Sequence, residues 1–336
     1  VLADHYDRRR IITIFQSIEM LCPIVLVVLL ATGTIRPWIV IGLSLVVGVT
    51  DAISMPCYQS IVPSMVRHDQ IAAGIALSST QYNLSRIISP AAANLLGLIG
   101  CFAANAISYI PFILVALWIL PRHAAATTPV DHPRIRAELW AASKPRVRAA
   151  LLVVFATSVL CSPLITFCPI LVRDAFGGND GDFSLVVAAF GIGGLLGALA
   201  LLGLAQTRKR RRVSSWSAVA AGGFVLASAV ATRFRLLPLS MLLAGFALTA
   251  SNTCANTLLQ TNGAEGRRGQ TVSMYMLAIR CGMAIGSVVT GASVHALGVR
   301  SGIAINGALA IVVQLILGRM WWRADRPTIA RDVREV

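Results

Sequence analysis

Charge is scarce in this chain. Only 13% of its 336 residues are Asp, Glu, Lys or Arg, against roughly 25% in an ordinary soluble domain. Acids are the scarcer sign, 14 against 29 basic residues, and lysine occurs only at Lys144 and Lys209. With 56% hydrophobic residues and a mean hydropathy of +0.75, a soluble core could not hide the apolar surface, so a water-soluble globule is excluded. Other absences remove chemistries. The seven cysteines, Cys22, Cys57, Cys101, Cys161, Cys168, Cys254 and Cys281, include no Cys-x-x-Cys pair and no histidine at ligand spacing, and they read as small core hydrophobes. There is no His-Glu-x-x-His, no paired-Asp prenyl-diphosphate motif and no Walker loop, so the chain alone is no ATP-driven pump. Gly191-Ile192-Gly193-Gly194-Leu195-Leu196-Gly197 misses dinucleotide spacing by one position. Gly291-Ala292-Ser293 with His295 lacks the second glycine and second histidine of an intramembrane serine protease.

What is there is apolar sequence in long runs. Ten are long enough, at about 1.5 Å of helix rise per residue, to cross a hydrocarbon layer about 30 Å thick. They are Ile11–Gly33, Pro37–Val62, Ile71–Ile99, Cys101–Leu120, Ala149–Val172, Phe183–Ala205, Val213–Thr232, Leu236–Gln260, Gln270–Ala296 and Val299–Trp321. They are too long for barrel strands and do not alternate, which leaves helix. The expected fold is an all-α integral membrane bundle.

The basic residues outside the runs are distributed unevenly. With the N-terminus in the cytoplasm, 22 lie in cytoplasmic segments and five, Arg36, Arg173, Arg233, Arg235 and Arg300, on the other side. The positive-inside rule then puts both termini in the cytoplasm. The net charge of +15 is thereby a topology signal, with attraction to anionic lipid second, and no nucleic-acid partner is implied.

The longest polar stretch, Pro121–Arg148, separates four runs from six. It divides the chain into 1–120, a linker 121–148, 149–322 and a cytoplasmic tail 323–336. The two sides repeat weakly. A shift of 202 sets Leu2-Ala3 on Leu204-Ala205 and Arg8–Arg10 on Arg210–Arg212; one of 194 sets Arg86 on Arg280 and Gly97 on Gly291; one of 201 sets Asn105 on Asn306. The first four runs thus match the last four, and the fifth and sixth have no counterpart.

Four ionisable residues lie inside the runs, where charge is expensive and usually functional. Arg86 sits near mid-bilayer on a polar stripe with Ser78, Gln81, Tyr82, Ser85 and Ser89; it either ties helices through carbonyls or couples to substrate or proton. Arg280 takes the matching place, with Gly282, Gly286 and Gly291 read as close-packing positions. Asp51 shares a face with Ser54 and Tyr58, with Gln59 beside them, and reads as a latch or as a local helix-bonding acid. Glu19 either snorkels or carries a proton; it and Asp51 are the only carboxylates in the runs. On the eighth run, Asn252, Asn256 and Gln260 recur every four residues beside Thr249, Thr253 and Thr257, forming either a cavity wall or a helix–helix seam. At the start of the chain, Asp4 can accept from a helix N-terminus while Arg8 and Arg9 pair with an acid or with terminal carbonyls, contacts that would exist in one conformer and break in another.

Leu2-Ala3-Asp4-x-x-Asp7-Arg8-Arg9-Arg10 resembles the loop signature between the second and third helices of major facilitator superfamily transporters, with Asp7 in place of a glycine. Asp51-Ala52 with Pro56, Gln59 and Pro63, then Asn83-Leu84-Ser85-Arg86-Ile87-Ile88-Ser89-Pro90 and Arg268-Gly269-Gln270-Thr271-Val272-Ser273-Met274-Tyr275, are similar to its enterobactin-exporter and macrolide-efflux branch. The resemblance covers essentially the whole chain. It implies two pseudo-symmetric halves, ten helices present of an expected twelve, with the first two lacking. It also implies alternating access, an amphipathic small-molecule substrate, proton exchange, no cofactor, a monomer, and the inner membrane of a bacterium. Under it Asp4, Asp7, Arg8 and Arg9 form the conformational latch that Asp51 joins, and the helix of Glu19 lies toward the outside of the bundle, which favours snorkelling. A lipid-modifying membrane enzyme and a non-transporting fragment or scaffold are the alternatives.

Overall fold

The computed structural model describes residues 8–65, 71–118, 145–201, 207–262 and 268–323, which are helical almost throughout and contain no strand. In chain order the helices are α1 (Arg8–Ala31), α2 (Pro37–Met65), α3 (Ile71–Trp118), α4 (Pro145–Cys161), the short α5 (Pro163–Thr166) and α6 (Cys168–Ile170), then α7 (Asp180–Ala200), α8 (Thr207–Val230), α9 (Leu236–Asn262), α10 (Arg268–Leu297) and α11 (Val299–Arg323). Among the described residues, eight helical segments are long and apolar enough to cross a membrane, and α2 adds a shorter apolar stretch, Pro37–Ala52.

Glycine and proline decide where these helices break. α3 contains two arms, because Gly97 adopts φ 64° and ψ −179° inside it, a left-handed φ that residues with a Cβ rarely adopt. Gly298, φ 82°, separates α10 from α11 in the same way. The two glycines are 201 residues apart, the offset that also relates Asn105 to Asn306, so Gly97 shares its backbone conformation with Gly298 and not with Gly291, on which a shift of 194 sets it. The expected single span Ala149–Val172 is instead segmented into α4, α5, α6 and a π-helical turn, Leu171–Ala175. Pro163 and Pro169 each sit at the start of a new short helix, where a missing N–H breaks no internal bond. α7 begins with a capping box: Asn179 Oδ1 accepts from the Asp182 N–H at 3.0 Å, and Asp182 Oδ2 accepts from the Asn179 N–H at 3.0 Å.

The chain divides into two compact units, Val1–Ile75 with Ala91–His132, and Ala76–Pro90 with Pro133–Val336. Within the first, α1 packs on α2. Large apolar side chains remain outward, including Trp38, Ile41, Leu45, Leu95 and Trp118, as lipid solvation allows. Within the second, α9 packs on α7 and α8, and α4 and α8 pack on α11, with α4 also against α10. Two buried clusters fill it, one around Leu164, Phe190, Leu237, Met241 and Ile303, the other around Val153, Val154, Leu259, Tyr275 and Trp321.

Small residues set the approach of these helices. A Cβ on Gly193 would overlap the Leu242 carbonyl, and one on Gly245 would overlap the Phe190 carbonyl, so α7 and α9 touch backbone to backbone. Gly286 lies against the Val159 carbonyl of α4 in the same manner, and a Cβ on Gly307 of α11 would lie 2.5 Å from the Leu226 nitrogen of α8. Hydrocarbon tails solvate leucine as well as protein does, so such close packing, rather than exclusion of water, holds helices together. The packing reading of Gly282 and Gly286 is met, since Gly282 also abuts α4 at Ser158 and Phe155. Gly193 and Gly197 of the false dinucleotide motif have the same use, the latter against the Phe246 carbonyl.

One arginine ties segments distant in sequence. Arg300 Nη1 donates to the Ala231 carbonyl at 2.7 Å and Nη2 to the Ala175 carbonyl at 3.1 Å. Its guanidinium lies 4.7 Å from the ring centroid of Phe176, which meets Phe234 edge-on. A cation bonded to carbonyls at the ends of helical segments satisfies acceptors that have no intrahelical donor.

Gly245→Ala is expected to destabilise by about 1–3 kcal/mol through overpacking, whereas Gly223→Ala, whose Cβ would meet nothing within 4 Å, is expected to be nearly silent; thermal unfolding in detergent followed by size-exclusion chromatography compares them. Arg300→Ala is expected to lower the same midpoint, at about 1.5–3 kcal/mol per charged hydrogen bond lost, with Arg300→Lys restoring only part.

Candidate functional site

Polar side chains inside apolar helices must find partners, because the hydrocarbon offers none. In the second unit most are joined in seams. Ser214 Oγ donates to the Ser251 carbonyl and Ser251 Oγ to that of Ser214, both at 3.0 Å, stitching α8 to α9. Further along the same pair, Ser228 Oγ donates to Ser240 Oγ at 2.8 Å, and Ser240 Oγ donates to Leu237 O at 2.9 Å. Asn306 Nδ2 donates to Thr290 Oγ1 at 2.7 Å between α11 and α10. Gln314 Nε2 donates to Thr157 Oγ1 at 2.8 Å and to Val153 O at 3.1 Å between α11 and α4. Sequence reading missed these roles for Ser214, Ser251 and Gln314. A lone glutamine amid Val299–Trp321 was the available signal.

The polar face of α9 is treated differently. Ser251, Cys254, Ala255 and Leu258 are buried, while Thr249, Asn252, Thr253, Asn256 and Thr257 stay half-exposed. The seam therefore runs through Ser251, one position away from the face that the four-residue spacing identified. Tyr275 donates to the Asn252 carbonyl at 3.3 Å, and Asn252 Oδ1 is buried with no hydrogen-bond partner. Arg280, on α10, is exposed and engaged.

The first unit holds a second polar group. Glu19, on α1, is only 5% exposed and does not snorkel. Gln16 Nε2 donates to its Oε2 at 2.7 Å, and Thr50, Asp51 and Ser54 of α2 face it, with Tyr109 of the second α3 arm also in electrostatic reach. Thr50 and Ser54 are buried, and Asp51 is half-buried. The two carboxylates inside the runs are thus within electrostatic reach of each other. The other predicted residues are dispersed. Gln81 is exposed on α3, where Ser89 Oγ is occupied by the Ser85 carbonyl at 2.6 Å. Tyr58, Gln59, Tyr82 and Arg86 lie on α2 and α3 with side chains outside the described residues, as do those of Arg8 and Arg9 at the start of α1; Asp4 and Asp7 fall outside the described residues altogether. Cys22, Cys161, Cys168 and Cys254 are buried, as small core hydrophobes should be, whereas Cys281 is exposed.

A multi-pass bundle of apolar helices, with polar groups set at depth within the spans, defines an integral membrane protein of a kind to which transporters belong. The chain belongs to the transmembrane secretion effector family of the major facilitator superfamily, whose family model matches residues 1–327. It is 24% identical over 325 residues to a staphyloferrin A transporter of Staphylococcus aureus, covering 94% of this chain and 81% of that protein. It is 22% identical over 330 residues to macrolide efflux protein A of Streptococcus pyogenes, again covering 94% and 81%. Among solved structures it is similar to the human organic anion transporter MFSD10 (TETRAN), with a TM-score of 0.74 at 15% identity, covering 94% of this chain and 78% of that one. A bacterial homologue of the iron transporter ferroportin, in an outward-facing state, gives 0.67 at 15% identity, covering 96% and 84%.

If the open face of α9 meets water, Asn256→Cys is expected to react with a membrane-impermeant maleimide in everted vesicles or intact cells, and Ser251→Cys to stay unlabelled in both; mass spectrometry of the labelled protein reads the difference.

Proposed function

We propose that this protein is a proton-coupled secondary exporter of amphipathic small molecules working by alternating access. The observation that carries the reading is the face of α9 on which Thr249, Asn252, Thr253, Asn256 and Thr257 stay half-exposed inside a span otherwise built of apolar residues. Neutral amides and hydroxyls on such a wall suit a bulky solute with both polar and apolar parts. Membership in a transporter family supports this, as do relatives named as a staphyloferrin A transporter and a macrolide efflux protein.

In this reading ten spans form two related halves, 1–120 and 149–322, joined by the linker 121–148. The offset shared by Gly97 with Gly298 and by Asn105 with Asn306 supports the repeat. The excess of arginine on one side supports cytoplasmic termini in a bacterial inner membrane. Arg86 and Arg280 are the mid-span cations, with Tyr58, Gln59, Gln81, Tyr82, Asn252 and Asn256 lining the path. Asp4, Asp7, Arg8 and Arg9 form a latch that holds one conformer, and Asp51 joins it.

Inside-out vesicles carrying the full chain, given an acid interior, are expected to accumulate a radiolabelled macrolide or staphyloferrin A, to lose it on addition of a protonophore, and to fail with Arg86→Ala. Uptake of both probes no greater than in vesicles without the protein, or uptake indifferent to the pH gradient, would reject the reading.

A further inference from the structure

None of the helices α8, α9, α10 and α11 contains an aspartate or glutamate, although α8 opens on Arg208-Lys209-Arg210-Arg211-Arg212 and Arg319 lies in the last turns of α11. Arg212 and Arg319 are both exposed. A cation at the edge of hydrocarbon gains from a counter-charge, and no carboxylate on these four helices can supply one. It has to come from outside them.

The two arginines flank an aromatic pair. Trp216 of α8 and Trp322 of α11 meet edge-on with ring centroids 6.2 Å apart, and both side chains are exposed. Arg212 stands four residues before Trp216 and Arg319 three before Trp322, spacings that set each arginine on the side of its helix that carries the ring. The helices touch beside the rings at Gly318, where a Cβ would lie 3.6 Å from that of Ser215. The result is a mouth between α8 and α11, with two rings across it and a cation on each helix.

Its depth suits a lipid headgroup. Arg300 and Arg319 bracket α11 at a separation of about 28 Å of helix rise, close to the hydrocarbon thickness of about 30 Å. Arg319 and the tryptophans therefore stand at the membrane surface, the level at which indole rings collect. Toward the bilayer centre the same face of α11 turns apolar: Leu315, Val312 and Ala308 continue the three- and four-residue spacing from Trp322 and Arg319, and all three are exposed. On α8, Gly223, two turns beyond Trp216, leaves room beside them, since a Cβ there would meet nothing within 4 Å.

We propose that this mouth binds one anionic phospholipid of the adjoining leaflet, with its phosphodiester between Arg212 and Arg319, its glycerol backbone against the tryptophan pair and an acyl chain along Leu315, Val312 and Ala308. Guanidinium groups donate to phosphate oxygens in a planar fork, which makes arginine the fitting cation here. A zwitterionic lipid brings a positive group of its own, which two arginines repel. The lipid bridges α8 and α11, so binding fastens these helices to each other. The inference goes beyond the export reading and is independent of the direction and driving force of transport.

Native mass spectrometry of the delipidated full-length protein, titrated in detergent with dioleoyl phosphatidylglycerol or dioleoyl phosphatidylcholine, tests it. One phosphatidylglycerol per chain is expected to bind about tenfold or more tightly than phosphatidylcholine and to raise the thermal midpoint. Arg212→Gln combined with Arg319→Gln is expected to abolish that preference, and Arg212→Lys combined with Arg319→Lys to keep part of it. Arg233→Gln combined with Arg235→Gln removes the same charge from exposed positions just before α9 and is expected to leave the preference intact. Equal binding of the two lipids, or a preference that survives without Arg212 and Arg319, overturns the site. A preference lost equally on removing Arg233 and Arg235 overturns it in favour of net charge alone, and displacement of the lipid by inorganic phosphate overturns it in favour of a soluble anion. Size-exclusion profiles matching wild type establish that each variant is folded.

Discussion

The constraint behind this molecule is that hydrocarbon neither donates nor accepts hydrogen bonds. Helices bond most backbone N–H and C=O groups internally, which suits such a solvent, and no strand occurs among the described residues. Each side-chain hydroxyl or amide at depth must find a partner on its own helix or on a neighbour. The Ser214–Ser251 exchange and the bonds from Gln314 to α4 are such solutions. Glycine contacts are the other half of the arrangement, since helices that gain nothing by expelling lipid hold together where their backbones meet.

Against that background two places stand out, the α9 face that stays half-exposed within its span and the Glu19 carboxyl with one oxygen unpartnered. The packed seams of the second unit run beside the α9 face and hold its helix to α8.

Much of this was legible in the sequence, and the reasons are physical. Apolar runs announce spans because bilayer thickness fixes their length, and the described helices fall on those runs. The polar face of α9 was legible because a spacing of four places Asn252 and Asn256 on one side of a helix. What a helical wheel leaves out is the neighbour. It gave no means of choosing between cavity wall and seam, and the seam lies one residue aside, at Ser251, where the α8 backbone happens to pass. Glu19 was misjudged for the same reason: a helix assigned to the outside of a bundle still has an inner face, and Thr50 and Ser54 occupy it. The span drawn from Ala149 to Val172 ignored Pro163 and Pro169, which stand in the first positions of two new short helices.

Arg300 joins carbonyls 69 and 125 residues earlier in the chain, at Ala231 and Ala175, and stands at the head of α11. Spans enter a membrane in the order in which they are made. The acceptors at Ala175 and Ala231 are therefore in place while their common donor is still unsynthesised. A ribosome stalled short of residue 300 leaves behind α7, α8 and α9 with their serine and glycine contacts available, and two carbonyls still awaiting the guanidinium that bridges them.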